Sequence, residues 1–410
     1  MLNWVQRFNI FCLLDTQESR SAIDTYEYLI GAGCLSSIDG ASSSFHKVDR
    51  FVNGGQWSFG HLGYDLFSPL QTREGAREDQ VGFSPFFFFH PIFVLYINNG
   101  RLHIEGPHPD QVWDEIMGSS ESLANNSVPL TIRQRLSKEK YLAKIAALRE
   151  HIRRGDCYEI NFCQEFFAER IDLAHAGVFE ALCALSPHPF SAYYKVNDRV
   201  LVCASPERYL KKEGQELISQ PMKGTARRTK SSSHSDEEEA HQLHISSKDR
   251  SENVMVVDLV RNDLSMVCEP GSVTTEDLFR VYTFPAVHQM VSTVKGRVRT
   301  EVTFSKIVEA TFPMGSMTGA PKKRVMELIG QYEEGSRGIF SGAVGYLAPG
   351  GDFDFNVVIR SIMYNASNKY LSYQVGSGIT FYSDPEGEWE ECLLKGESIK
   401  KVLTSASTRS

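Results

Sequence analysis

Two pairs of acidic residues stand out by their spacing: Asp249 with Glu252, and Glu388 with Glu391, each three residues apart. On a helix that spacing puts both carboxylates on one face. Two such faces meeting across a cleft would offer oxygen ligands to a hard cation such as Mg²⁺, which keeps waters and substrate oxygens in its shell. Taken alone, each pair is equally a solvated helix face, and Glu391 with Lys395 fits an ordinary i, i+4 ion pair. A second constellation is suited to anions. Gly376-Ser377-Gly378 follows an apolar strand pattern, and glycines let backbone N–H groups approach a carboxylate closely. Arg360, at the end of Val357-Val358-Ile359, would add a forked guanidinium contact; the same residues also read as a tight turn and a surface arginine. The third is Pro221-Met222-Lys223-Gly224-Thr225. A lysine held between Pro and Gly and stripped of water can lose its proton and act as a nucleophile, although an isolated loop lysine is inert. Upstream, Glu207 of Ser205-Pro206-Glu207 offers a general acid or base, or simply a strand-end turn.

Other chemistry is set aside. Gly315 to Lys322 lacks the Lys-Ser/Thr ending of a phosphate loop, and His241 with His244 lacks the H-E-x-x-H pattern. No G-x-S-x-G elbow occurs.

These residues need scaffolding from both periodicities. Apolar Leu142, Ile145, Ala146 and Leu148 after Ser137 predict a helix over 138–153. Strands are expected at 158–167 and 191–210, with turns at Asn197-Asp198 and Glu213-Gly214. One helix is expected over 235–262, others over 302–310 and 321–331. Strands follow at 342–348, 353–364 and 370–376, then a helix over 386–403. The Phe-rich run 81–97 contains His90 and two prolines and is too short to span a bilayer, so it reads as adjacent core strands. A polar stretch, 118–127, is the candidate connection between subdomains. The mixture predicts an α+β fold with large, mostly antiparallel sheets.

The chain of 410 residues is 41% hydrophobic and carries a net charge of −8. That balance argues against nucleic acid as a partner, which calls for a concentrated basic surface. The eight cysteines are scattered, with no C-x-x-C pair, and no signal peptide is recognisable. Buried free thiols in a reducing cytoplasm are expected, away from membranes.

In order, the chain presents Gly155-Asp156-Cys157-Tyr158-Glu159-Ile160-Asn161, Ser205-Pro206-Glu207-Arg208, Pro221-Met222-Lys223-Gly224-Thr225 and Lys248-Asp249-Arg250-Ser251-Glu252-Asn253. Pro285-Ala286-Val287-His288-Gln289, Gly319-Ala320-Pro321-Lys322, Gly342-Ala343-Val344-Gly345-Tyr346, Ile359-Arg360 and Gly376-Ser377-Gly378-Ile379 complete the series. This ordered set resembles the chorismate-utilising enzymes, which include anthranilate synthase component I, aminodeoxychorismate synthase component I and the isochorismate and salicylate synthases. The resemblance implies a two-layer β-sandwich with helices outside. Residues 1–120 would be a variable region adding strands to it, and 135–405 the chorismate-binding catalytic region. It also implies a Mg²⁺ site, with Glu252 and Glu391 as ligands and Asp249 and Glu388 as supporting carboxylates. Arg360, Lys395 and the amides of Gly376, Ser377 and Gly378 would take the enolpyruvyl carboxylate of chorismate. Gly224, Thr225 and His288 would line the ring site.

Within the resemblance, two positions choose the reaction. Anthranilate synthases commonly carry Ala where Lys223 stands, whereas aminodeoxychorismate synthases have Lys. The water-adding members carry a basic lysine where this chain has Glu159. The series therefore resembles aminodeoxychorismate synthase component I most, which implies conversion of chorismate and ammonia to 4-amino-4-deoxychorismate, a precursor of 4-aminobenzoate and folate. Lys223 would be the nucleophile and Glu207 the proton donor. The chain has no recognisable glutaminase module, so a separate glutamine amidotransferase subunit is the expected ammonia source. Anthranilate synthase component I is the alternative, and a non-catalytic chorismate- or amidotransferase-binding scaffold a more distant one.

Overall fold

The computed structural model describes residues 1–17, 25–67, 79–119, 130–228, 233–284 and 287–405. Of the expected subdomain connection, residues 120–127 lie outside the described residues, as do Pro285 and Ala286.

The Phe-rich run shows how the sequence builds the architecture. Phe86 and Phe88 pack in one cluster with the Ser247–Ser265 and Phe304–Thr311 helices, while Phe87 and Phe89 pack in another. That alternation is the period-two signature of a strand buried on both faces. The chain then bends at Pro91, and the next strand, Phe93–Asn98, belongs to the other sheet. The expected adjacent strands are thus consecutive in sequence but lie in different layers.

Among the described residues, strands form an 11-stranded and a 10-stranded sheet, and every pairing between named strands is antiparallel. Apolar residues of both sheets, among them Cys12, Leu29, Phe59, Phe89, Val344 and Met363, form a shared interior. Helices cover the outer faces: Lys138–Arg153, His175–Leu185 and the C-terminal helix on one sheet, Ser247–Ser265 and Phe304–Thr311 on the other. This is a β-sandwich with outer helices. N-terminal strands join both sheets, since Ile10–Asp15 pairs with Phe190–Val196 and Ser58–Leu62 with Ala343–Leu347. No helix among the described residues is long and apolar enough to cross a membrane.

Three expected elements differ. The helix expected over 235–262 is two, Ser233–Ile245 and Ser247–Ser265, because Ser246 leaves helical geometry and its hydroxyl accepts from the Asp249 N–H as an N-cap. The strand expected over 353–364 is two, Phe353–Asn356 in one sheet and Ser361–Asn365 in the other. The crossing between them contains Arg360 at φ 52°, a left-handed conformation that breaks the strand. The strand expected over 370–376 runs on through Gly376-Ser377-Gly378 as Tyr370–Ile379, pairing throughout with Glu159–Glu169, so the alternative reading of these glycines as a tight turn falls.

Candidate active site

Lys223 lies on the edge strand Met222–Arg227, and a bulge aims it. Met222 pairs with Val291 and Thr225 with Gln289, so the edge strand has one residue too many. Such bulges redirect side chains. Gly224 takes up the strain at φ +87°, and a Cβ there would lie 2.9 Å from Asp249 Oδ1. The redirected Lys223 Nζ reaches across the sandwich to Glu159 Oε1, on a strand of the opposite sheet. A Cβ on Gly378 would sit 2.6 Å from Lys223 Nζ and 2.7 Å from Glu159 Oε1, so the glycine leaves the space this ion pair occupies.

Glu207 sits where the chain passes from one sheet to the other. Its carbonyl accepts from Val357 N–H at 3.0 Å, and Ala204 N–H donates to Arg360 O at 3.2 Å. The two sheet-crossing segments therefore run side by side, one carrying Glu207 and the other Arg360. Next to Glu207, buried Arg208 anchors the crossing by a fork onto Asp354, both bonds 2.9 Å. Burial pushes the Glu207 carboxyl up to about 7, partly offset by the nearby Ser316 hydroxyl and by Lys223. Glu207 can therefore be protonated at neutral pH. At Lys223 the neighbouring charges, not burial, decide the shift. Burial alone would lower it, but Glu159, Glu252 and Glu391 outweigh burial and hold its ammonium well above the usual lysine range.

The Ser246 cap fixes Asp249 at the start of its helix, the Ser246 hydroxyl donating to the Asp249 carboxylate and accepting from its N–H at 3.3 Å. One turn on, burial raises the Glu252 carboxyl, with Lys223 and Lys248 acting against that shift. From the C-terminal helix Pro385–Ser405, Glu391 pairs with Lys395 at 2.6 Å. That ion pair, expected as the simple alternative for Glu391, is present alongside the site geometry. Lys395 Nζ also donates to Gly376 O at 3.0 Å, and Arg360 Nη1 donates to Lys395 O at 2.9 Å. Burial lowers the Arg360 guanidinium, with Glu391 opposing. The structure thus brings Arg360, Lys395, Gly376 and Glu391 together as one group. Beyond Ser372 the glycine strand no longer pairs with Ser361–Asn365, so 376–379 keep one edge without a strand partner among the described residues.

Some expected positions are placed differently. The Ser377 hydroxyl faces Tyr141 OH at 3.4 Å in the outer core, so only its backbone can serve the site. His288 is buried, with Nδ1 against Thr283 Oγ1 at 3.0 Å and Nε2 against Asp236 Oδ1 at 3.1 Å, so both ring nitrogens have protein partners. Thr225 is exposed on the edge strand. A separate cavity of about 60 Å³, lined by Leu14, Tyr26, Phe190, Tyr346 and Asp354, contains none of the site residues.

The donor set suits a hard cation. Glu388 is 5% exposed and its Oε2 has no hydrogen-bond partner among the described residues, an arrangement that costs free energy unless something compensates. Glu252 and Glu391 both act on Lys223, so the two acidic helices face one centre. Among the described residues, no three His, Cys, Asp or Glu side chains already stand close enough to hold an ion.

Sequence reasoning passed over Glu159 as a partner for Lys223. The resemblance singles out position 159, where it implies a lysine in the water-adding members, but no local pattern links that position to Lys223. Ser246 and Ser316 gave no comparable signal, because their roles depend on a helix break and a distant loop.

The model of the chorismate binding enzyme family matches residues 21–401. The chain belongs to that family. It is 37% identical over 369 residues to aminodeoxychorismate synthase component 1 of Klebsiella aerogenes, covering 88% of this chain and 79% of that protein. It is 31% identical over 422 residues to the probable chloroplastic aminodeoxychorismate synthase of Oryza sativa subsp. japonica, covering 92% of this chain and 47% of that protein. The chain therefore spans less than half the length of the rice relative. Its fold is similar to that of anthranilate synthase component I from Streptococcus pneumoniae TIGR4, with TM-score 0.80, 23% identity and 93% of each chain covered.

Proposed function

We propose that this chain is the chorismate-converting component of an aminodeoxychorismate synthase, joining chorismate and ammonia to give 4-amino-4-deoxychorismate and water. Lys223 carries this reading: its largely buried amine faces three carboxylates and acts on a protonatable Glu207. The similarity to component 1 of Klebsiella aerogenes supports the same assignment.

Arg360, Lys395 and the backbone of Gly376 to Gly378 suit one carboxylate of a dianionic substrate. Mg²⁺, held by Glu252 and Glu391 with Asp249 and Glu388 supporting, would supply positive charge for the other carboxylate and offset the field on Lys223. Lys223 in its neutral form attacks ring C2, forming a C–N bond. The ring double bonds shift, the C4–O bond breaks, and Glu207 gives its proton to the departing hydroxyl, which leaves as water. Ammonia then bonds to C4, the double bonds shift back, and the C2–N bond breaks to release Lys223. Ammonia's surplus proton returns to Glu207. Each group acts at a stated atom.

The term component 1 in the Klebsiella aerogenes relative supports a separate amidotransferase subunit as the ammonia source. The eight thiols are all free and seven are buried, which supports a reducing, cytoplasmic setting. Lys223→Ala tests the chemistry: ammonia-dependent C4 amination is expected to fall at least about 1,000-fold. Full activity in that variant would remove the covalent role.

A further inference from the structure

One buried carboxylate at the site has no task in the scheme above. Glu159 is 4% exposed and hydrogen-bonds Lys223 Nζ across the two sheets. Its strand is held firmly on this side. Tyr158 N–H donates to Ala320 O at 2.8 Å, Asn161 Nδ2 to Ser316 O at 3.1 Å, and buried Arg337 to Asn161 O at 2.9 Å. Gly378 supplies the floor, because any side chain there would displace both Lys223 Nζ and Glu159 Oε1. The nitrogen is therefore held at one point of the site.

We propose that Glu159 positions Lys223 for attack and accepts the proton its ammonium must lose. This rests on the function proposed above. The N–H bond breaks, the proton passes to Glu159 Oε1, and the pair left on Nζ forms the bond to the ring carbon. When ammonia expels the lysine, the released amine takes the proton back, so no outside acid or base is consumed. The groups facing Lys223 are Glu159 on the Glu159–Glu169 strand, Glu252 on the Ser247–Ser265 helix, Glu391 on the C-terminal helix and Glu207 at the sheet crossing. Glu252 and Glu391 are the candidate cation ligands, and Glu207 must keep its proton for the leaving group. Glu159 is the carboxylate in hydrogen-bond contact with the nitrogen.

The test follows formation of the lysine adduct. Full-length wild type and Glu159→Gln are mixed with chorismate and Mg²⁺ without ammonia, and the Lys223 adduct is timed by intact mass between pH 6 and 9. Amination with ammonium is measured alongside. Glutamine keeps the size and can still hydrogen-bond, but it cannot take the proton. Glu159→Gln is expected to form adduct about 100-fold more slowly at pH 7, to recover as pH rises, and to keep KM for chorismate within about threefold. Glu159→Asp, which retains a carboxylate, is expected to exceed Gln at least about tenfold, and this comparison decides the matter if the Gln variant folds poorly. Equal adduct rates in wild type and Gln, or Asp no faster than Gln, would overturn the proposal while leaving the amination reading standing. Absence of both adduct and aminated product in wild type would overturn that reading, and the proposal with it.

Discussion

Glu207 and Lys223 are both shifted upward within one site, Glu207 by burial and Lys223 by the carboxylates around it. A carboxyl raised to about 7 by burial donates a proton only below that pH. On this limb kcat/KM should be level below about pH 7 and fall about tenfold per pH unit above it, as a pH–rate profile would record. Stability carries the same sign. The folded state favours protonated Glu207, so its contribution is complete below the ordinary glutamate range and is lost as pH rises through about 7. Glu207→Gln should therefore melt higher than wild type at pH 8, lose that advantage by pH 5, and have little activity at either pH. A lower melting temperature at pH 8 would show that Lys223 stabilises the ionised carboxylate more than burial penalises it. At this scale the sequence pointed to the residues but not to their couplings. Lys223 and Glu207 were identifiable from their motifs. The ion pair with Glu159 was not, because it joins strands from opposite sheets 64 residues apart.

The elements place these groups by local chemistry that was only partly legible. The Lys138–Arg153 helix, its Ser137 cap and the hairpins around Asn197-Asp198 and Glu213-Gly214 form where periodicity and turn residues put them. The misplaced boundaries lie at the site. Ser246 ends one helix and starts another, Arg360 turns a strand into a crossing, and the glycines extend a strand past its expected end at 376. Each depends on a long-range partner: Asp249 set against Gly224, Arg360 against the Ala204 N–H, and 376–379 against the Glu159–Glu169 strand. Ser246→Ala should lower stability by about 1 kcal/mol in urea unfolding. Because it also frees Asp249, it should weaken Mg²⁺ activation more than it raises KM for chorismate. Deep in the sandwich, Phe88→Ala should cost about 3–5 kcal/mol, measured in the same way.

For the whole molecule, the sandwich brings residues from both sheets and two outer helices to one point between the layers. The edge strand supplies Lys223, the opposite sheet Glu159 and Gly378, the sheet crossings Glu207 and Arg360, and the two helices the carboxylates. A fold similar to anthranilate synthase component I carries this site, so fold alone does not select the product. The residue at position 223 is the selector in this account. Incubating the purified chain with chorismate, Mg²⁺ and an ammonium salt, then identifying the product by mass and by fluorescence, tests that claim most directly. A product retaining the enolpyruvyl group with an amine at C4, convertible by an added lyase to 4-aminobenzoate, is the predicted result. Fluorescent anthranilate with release of pyruvate would contradict it.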